Sequence, residues 1–360
     1  MLPLLNTIRV GLQTIQRDSG ETSCPPDIGK VFEMLHDYFG REFRYLRLSV
    51  TDVCNFSCNY CLPDGYQGDS GRKSGGFLRL DEIRHIAAAF AQAGTRKIRI
   101  TGGEPSVRSD LPDIIAAVKQ TQGIEKVVIT TNGYKLPERI DSWIDAGLDG
   151  LNLSIDSLDP SIFQAITGHH RLQELLDGLD RAAALGLSSI KVNVVMMRAY
   201  NGNQIDQFLA WVKHKPLTLR FIELMQTGDN EEFYRRNHVS GEDIKQRLLS
   251  EGWEQALRSK DAGPAQEFHH PDYRGRVGLI MPYSKDFCAS CNRLRISATG
   301  KLHLCLFSDK GLDLRQLLQH ADQKDELIAH MQTQLNDKKV SHYLQDGNTG
   351  GTSHLAMLGG

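Results

Sequence analysis

Six of the seven cysteines in this 360-residue chain fall in two triplets, Cys54, Cys58 and Cys61, then Cys288, Cys291 and Cys305. Two such groups far apart make a poor disulfide framework, and thiols gathered at a loop point instead to metal or cluster ligation. The first triplet, Cys-x3-Cys-x2-Cys, has no His or further Cys within its loop to act as a fourth ligand. A structural zinc closes its tetrahedron, whereas a 4Fe-4S cubane held by three thiolates keeps one iron open for a small chelating ligand. The spacing therefore favours a catalytic cluster, with a zinc site completed by a remote ligand as the alternative. The second triplet, Cys-x2-Cys-x13-Cys, has two readings: a second open-iron 4Fe-4S cluster that holds a substrate, or a zinc ribbon completed by His303. Directly after Cys291 comes Asn292-Arg293-Leu294-Arg295. Two guanidiniums at i and i+2 of a strand share a face, and their planar forks suit phosphate oxygens. Cys24 is left over as a free thiol.

Composition limits what such a site can serve. A formal charge of −2, with 24% charged and 40% hydrophobic residues, describes a globular chain and not a polybasic nucleic-acid or membrane-surface protein. No apolar run approaches the roughly 18 residues of a membrane span. Asn6, Arg9, Gln13 and Gln16 interrupt the apolar start, which argues against a secretory signal. The lack of acidic residues before Asp18 faintly resembles an organelle transit segment. Thiolates kept for metal need a reducing compartment, so the expectation is a cytoplasmic protein.

The elements that must position these residues begin near Tyr45, where short β-branched runs alternate with helical patterns. Strands are predicted at Leu46–Val50, Lys97–Thr101, Lys126–Thr130, Leu151–Ile155, Lys191–Met196 and Thr218–Leu224. Helices are predicted at Asp81–Ala93, Asp110–Gln120, Leu136–Ala146, Leu172–Leu185 and Asn203–Lys213. In the first of them Ile83, Ile86, Ala87 and Phe90 share one face and Gly94 closes the end. Strand–helix alternation means a parallel sheet covered on both faces, either a doubly wound open sheet or a (β/α) barrel, complete or partial. Both place chemistry at the carboxyl ends of the strands. Thr51-Asp52, Thr101-Gly102-Gly103-Glu104-Pro105, Thr131-Asn132-Gly133 and Asp156-Ser157 fall there and form one rim. Beyond Gly228 the alternation decays into a charged helix at Gly241–Ser250, a loop at Ser259–Pro271, and short strands and helices near Leu312–His320 and Lys324–Leu335.

The first cysteine loop, with Tyr60 just before its third cysteine, resembles that of the radical S-adenosylmethionine enzymes, and Gly102-Gly103-Glu104-Pro105 matches the run with which that family contacts the methionine end of its cofactor. With both triplets, Cys-x2-Cys-Asn-Arg-x-Arg, the opening Tyr45-Leu46-Arg47-Leu48-Ser49-Val50-Thr51-Asp52 and a terminal Gly-Gly, the resemblance narrows to the GTP 3′,8-cyclases of molybdenum cofactor biosynthesis. It runs from about Phe39 to Gly360, with Val53 and Leu62 standing where the family usually has Arg and Met.

That resemblance implies an α/β fold: a partial (β/α)6 TIM-type barrel over residues 39–228, a C-terminal subdomain with the second cluster over 229–345, and a Gly-rich tail, 346–360, that reaches the active site. Residues 1–38 form an unmatched leader. The implied cofactors are two 4Fe-4S clusters, on Cys54, Cys58 and Cys61 and on Cys288, Cys291 and Cys305, together with S-adenosylmethionine at Tyr60, Gly103, Ser154 and Met225. Arg47, Arg99, Thr130, Lys191, Arg293, Leu294 and Arg295 are implied contacts to GTP. Arg293, Arg295, Arg220, Gly359 and Gly360 are the implied catalytic set. The implied reaction is cyclisation of GTP to 3′,8-cyclo-7,8-dihydro-GTP, first abstracting the 3′ hydrogen with a 5′-deoxyadenosyl radical and then attacking C8 from C3′. A reductant such as flavodoxin or ferredoxin and a downstream cyclic pyranopterin monophosphate synthase are the implied partners; a homodimer is compatible, and neither nucleic acid nor membrane is expected. The competing readings are a peptide-modifying radical enzyme with an auxiliary cluster and a non-enzymatic zinc-binding interaction module.

Overall fold

The structure, a computed structural model, describes residues 34–68, 76–257, 262–308, 310–351 and 358. Expectations that fall on Cys24, on most of the leader, and on Gly359 and Gly360 lie outside these residues. In chain order the strands are β1 (Tyr45–Ser49), β2 (Lys97–Thr101), β3 (Lys126–Thr131), β4 (Gly150–Ser154), β5 (Ser189–Met196), β6 (Thr218–Glu223), β7 (Glu254–Gln255), β8 (Gln266–His269), β9 (Arg276–Ile280), β10 (Arg293–Ile296), β11 (Lys301–His303) and β12 (Leu312–Asp313). The α-helices are α1 (Leu80–Gln92), α2 (Leu111–Lys119), α3 (Leu136–Asp145), α4 (Pro160–Thr167), α5 (Leu172–Ala184), α6 (Ile205–Val212), α7 (Glu231–Asn237), α8 (Gly241–Ser250) and α9 (Lys324–Leu335).

All twelve strands join one open sheet in the order β12-β11-β10-β1-β2-β3-β4-β5-β6-β9-β8-β7. The six strands read from the sequence form its parallel centre, each β followed by helical crossover. β1 shows how the sequence builds this wall. Leu46 and Leu48 alternate with Tyr45, Arg47 and Ser49; the leucines are fully buried, and Tyr45 and Arg47 line an internal cavity. On the outer layer, α1 buries Ile83, Ile86, Ala87 and Phe90. Its start is held by the Arg79 N–H donating to Glu82 Oε2 at 2.8 Å, and Gly94, at φ +89°, turns the chain back into β2.

The residues beyond 228 complete the wall at both edges. β9 pairs parallel with β6 and β10 pairs parallel with β1, so eight strands run in one direction. Two antiparallel extensions, β11-β12 and β8-β7, finish the edges. The segment expected as a loop at Ser259–Pro271 contains β8, which pairs with β9. α4 and α7 were not foreseen. Each spans only about two turns, too short for a helical period to stand out. The Asp159 side chain caps α4 by accepting from the Ser161 and Ile162 N–H groups, and Gly168, at φ +79°, ends it.

Candidate functional site

The Cys54 loop leaves the carboxyl end of β1 and folds under the loop that follows β2. Gly103 N–H donates to Thr51 O at 2.8 Å and Glu104 N–H to Val53 O at 2.8 Å. The contact is so close that a Cβ on Gly102 would lie 2.2 Å from Thr51 O, and one on Gly103 would lie 2.5 Å from both Asp52 O and Val53 O. Only glycines permit the approach. Glu104 is fully buried and ties the loop after β2 to the one after β3, accepting from Ser106 N–H at 2.9 Å, Thr131 Oγ1–H at 2.6 Å and Asn132 N–H at 2.6 Å. Asn132 Nδ2 in turn donates to Asn55 Oδ1 at 3.0 Å and stands 3.9 Å from Cys54 Sγ. Within the loop, Cys61 N–H and Leu62 N–H donate to Cys58 O, a turn that brings the last two cysteines together. Tyr60 O–H donates to Asp156 Oδ2 at 2.9 Å, and Val195 N–H donates to Asp156 Oδ1 at 2.8 Å. Burial pushes the Asp156 carboxyl up to about 6 in spite of both donors.

All three cysteines line one cavity with Tyr60, Gly103, Thr130, Ser154 and Met225, so the four expected S-adenosylmethionine contacts and Thr130 stand around the first triplet. Thr130 Oγ1 is buried with no hydrogen-bond partner among the described residues. Asn193, Ile222 and Met225 are shared with a second cavity, so the two form a continuous lumen. The wall of the second carries Cys288, Cys291 and Cys305, and also Arg47, Arg99, Arg220, Arg293 and Arg295. Among the described residues no Asp or Glu lines it.

The sheet register explains how these cations meet. Arg47 is level with Arg99 on one side and Arg295 on the other, and Arg293 is level with Tyr45. Arg220 comes from across the barrel, its Nη2 donating to Asn152 Oδ1 at 2.8 Å. The Nε atoms of Arg99, Arg220, Arg293 and Arg295 are buried with no partner among the described residues. Burial, then the charge of Arg99, lowers the Arg220 pKa to about 9; burial, then Arg293, lowers that of Arg295 to about 10. These guanidiniums stay protonated at neutral pH, so the shifts register mutual repulsion in a poorly hydrated space, which a polyanion relieves.

Around the second triplet, Cys291 N–H donates to Cys288 O at 3.1 Å and Arg293 Nη2 lies 3.8 Å from Cys291 Sγ. Buried Arg41 donates to Cys288 O, Val340 O and Lys339 O while paired with Asp37 at 2.6 Å. Buried Lys338 donates to Leu304 O. His303, the fourth ligand of the zinc alternative, packs against Gly311 and does not line the cavity with the three cysteines. Among the described residues, no three His, Cys, Asp or Glu side chains close on a single ion. A cubane, whose three thiolates each take a different iron, needs no such closure. Leu306, Phe307, Leu344 and Leu358 form an apolar cluster packed against Cys61 of the first triplet, Cys305 of the second, Met225 and Tyr283.

Two expected contacts sit apart from this arrangement. Lys191 is on the lumen side of β5 but its ammonium pairs with Glu267 at 3.0 Å, outside both cavities. Leu294 is fully buried between its two arginines and its side chain does not line the lumen, because alternation turns it to the opposite face. Conversely, Tyr45, Lys97, Asn193 and Lys338 were not foreseen as site residues, whereas Asn132 and Asp156 were placed on the rim without a role. Tyr45 and Lys97 carried a signal, since each precedes an expected arginine by two positions on its own strand.

The sequence profile described as the Radical SAM superfamily matches residues 48–212, and that described as Molybdenum Cofactor Synthesis C matches residues 217–344. The GTP 3′,8-cyclase of Vibrio vulnificus (strain CMCP6) is 56% identical over 330 residues, covering 92% of this chain and 98% of the relative. That of Aeromonas hydrophila subsp. hydrophila is 57% identical over 339 residues, covering 93% and 99%. Among solved structures, Streptococcus suis SuiB bound to S-adenosylmethionine aligns with a TM-score of 0.50 at 14% identity, over 81% of this chain and 66% of that one, a likeness of fold.

Proposed function

The chain belongs to the GTP 3′,8-cyclase family of radical S-adenosylmethionine enzymes, and from that membership we propose how its residues divide the work. It is a lyase that converts GTP to 3′,8-cyclo-7,8-dihydro-GTP, the first step of molybdenum cofactor biosynthesis. The observation that carries the division of roles is one lumen with a cysteine triplet at each end and five guanidiniums between.

Cys54, Cys58 and Cys61 hold one 4Fe-4S cluster and Cys288, Cys291 and Cys305 the other, with Tyr60, Gly103, Ser154 and Met225 around S-adenosylmethionine. When bound, these groups supply a hydrogen-abstracting carbon radical at the first site and an open iron for the purine at the second. The protein's own part is placement. Arg47, Arg99, Arg293 and Arg295 hold the triphosphate, where charge-assisted contacts are strong in a water-poor lumen. Thr130 offers its unpartnered hydroxyl to the nucleoside, and Arg220 stands on the opposite wall to balance negative charge. Fixing the purine at one end and the phosphates along the wall sets C3′ against C8, and such positioning replaces an unfavourable encounter with an intramolecular one. The apolar cluster around Leu306, Phe307 and Leu358 keeps water from the space between the triplets. Gly359 and Gly360 complete the catalytic set that the family resemblance implies. Lys191 exchanges Glu267 for phosphate when substrate arrives. Electrons come from a low-potential donor of the flavodoxin or ferredoxin class, and the product passes to a cyclic pyranopterin monophosphate synthase.

Anaerobically reconstituted protein should hold about eight irons, two cubanes, and should form the cyclised nucleotide from GTP, S-adenosylmethionine and dithionite. Four irons plus one zinc would remove the second cluster from the reading. Cleavage of S-adenosylmethionine that GTP never converts into cyclised product would remove the substrate.

A further inference from the structure

Asn132 lies in the loop after β3 with both ends of its side-chain amide already committed. Its Oδ1 accepts from Tyr134 N–H at 3.0 Å, and its Nδ2 donates to Asn55 Oδ1 at 3.0 Å. Those two bonds decide which end of the amide is which. The other Nδ2 hydrogen is left for Cys54 Sγ, 3.9 Å away. The main chain is held as firmly, because Asn132 N–H donates to buried Glu104 at 2.6 Å.

What this donor does to the sulfur follows from its surroundings. The carboxylates nearest the triplet disfavour thiolate charge, Glu104 at Cys54 and Asp156 at Cys58. Against them stand neutral donors only: the Asn132 amide and the Phe56 and Asn55 N–H groups, all directed at Cys54. A ligating sulfur carries more negative charge when its cluster is reduced, so an N–H aimed at it favours the reduced form and raises the potential. At the second triplet a charged donor takes the corresponding place, with Arg293 Nη2 3.8 Å from Cys291 Sγ.

We propose that Asn132 sets the reduction potential of the first cluster, its Nδ2–H donating to the Cys54 thiolate so that a low-potential donor can load the electron used to cleave S-adenosylmethionine. This rests on Cys54, Cys58 and Cys61 holding a 4Fe-4S cluster. In that loading step one electron passes from donor protein to cluster, and no bond forms or breaks. Asn132 acts through Cys54 and is a positioning residue. Asn132→Ser removes the donor without adding charge. Asn132→Asp keeps the shape and the oxygen that Tyr134 N–H needs, and turns the donor into an acceptor. Anaerobic, cluster-loaded protein is titrated with dithionite without S-adenosylmethionine, and the reduced clusters are followed by electron paramagnetic resonance. The signal that later addition of S-adenosylmethionine perturbs belongs to the first cluster, and the other is the reference. The expected result is a first-cluster potential lower by about 59 mV in Asn132→Ser, a tenfold change in a one-electron equilibrium, and lower still in Asn132→Asp. The second cluster should not shift, and about eight irons should remain. An unshifted first potential would overturn the proposal, as would equal shifts of both clusters. Weaker S-adenosylmethionine affinity at unchanged potential would make Asn132 a ligand contact instead, and loss of the first cluster from both variants would make it a structural support. If Cys54→Ala kept every iron, the cluster assignment itself would fall.

Discussion

The two cysteine triplets have the same ligand count and opposite surroundings. At the first, the nearby polar groups are Asp156, Glu104, Asn132 and Tyr60, and burial drives the Cys54 thiol up to about 11 and Cys58 well above its ordinary value. At the second, burial likewise raises Cys288, but at Cys291 the charges of Arg293 and Lys338 outweigh burial and bring the thiol down to about 6. The first site is a pocket of neutral and acidic groups, suited to a ligand that brings its own positive charge, as the sulfonium of S-adenosylmethionine does. The second is suited to an anion. Identical cysteine arithmetic thus serves two chemistries, and the difference lies in the strands behind each loop.

The largest effect should separate the triplets outright. Cys58→Ala is expected to abolish reductive cleavage of S-adenosylmethionine, whereas Cys291→Ala should abolish cyclisation and leave that cleavage measurable. Each should lose about four of the eight irons. If both variants lost cleavage equally, the ends of the lumen would not be separable. Next in size, Arg293→Ala with Arg295→Ala should lower kcat/KM for GTP by about 10² to 10⁴, two charged contacts at roughly 1.5–3 kcal/mol each. Uncoupled formation of 5′-deoxyadenosine at the first site should persist, and unchanged GTP turnover would sink their role. The smallest effect is in pH. Burial, helped by Arg99, Lys191 and Arg220, lowers Lys97 to about 8, and the Tyr45 phenol, raised by burial but pulled down by Arg99, Lys97, Arg47 and Arg220, also sits near 8. A triphosphate favours the charged ammonium and raises its pKa on binding. GTP affinity should therefore be full below about 8 and fall by up to tenfold per unit as pH rises through it. Titration calorimetry across that window, with an S-adenosylmethionine titration as the reference, would expose a flat GTP profile if the deep cations play no part.

Much of the centre of the fold was legible in the sequence because its six strands are buried on both faces and read as compact β-branched runs. Lys97–Thr101 has the same bounds in sequence and structure, and the other five differ by one or two residues at an end. The edges were less legible. The Arg293-x-Arg295 segment of β10 was read as strand, but β8, with four residues, and β9, with Gly278 at its centre, become strands by pairing, a tertiary cause that leaves no local period. The cysteines and the Arg293-x-Arg295 pair declared themselves by type and spacing, whereas Arg47, Arg99 and Arg220 came from the family resemblance. Lys191 and Leu294 needed information the pattern lacks, a carboxylate supplied by β8 and the direction of one side chain. Arg41 and Lys338 approach the second triplet from opposite ends of the chain, where nothing in their neighbourhoods marks them.

The parallel pairing of β1 with β10 also governs when this protein comes into being. Residue 45 finds its partner at residue 293, so one wall of the barrel is among the first segments synthesised and its neighbour among the last. Contacts of such long sequence separation form late and slowly. Until the ribosome has passed Arg295, the edge beside Arg47 stays unpaired and the Cys54 loop faces no opposite wall. A nascent or truncated chain therefore offers Cys54, Cys58 and Cys61 without the enclosure that confines radical chemistry, and completion of translation is a precondition for safe catalysis.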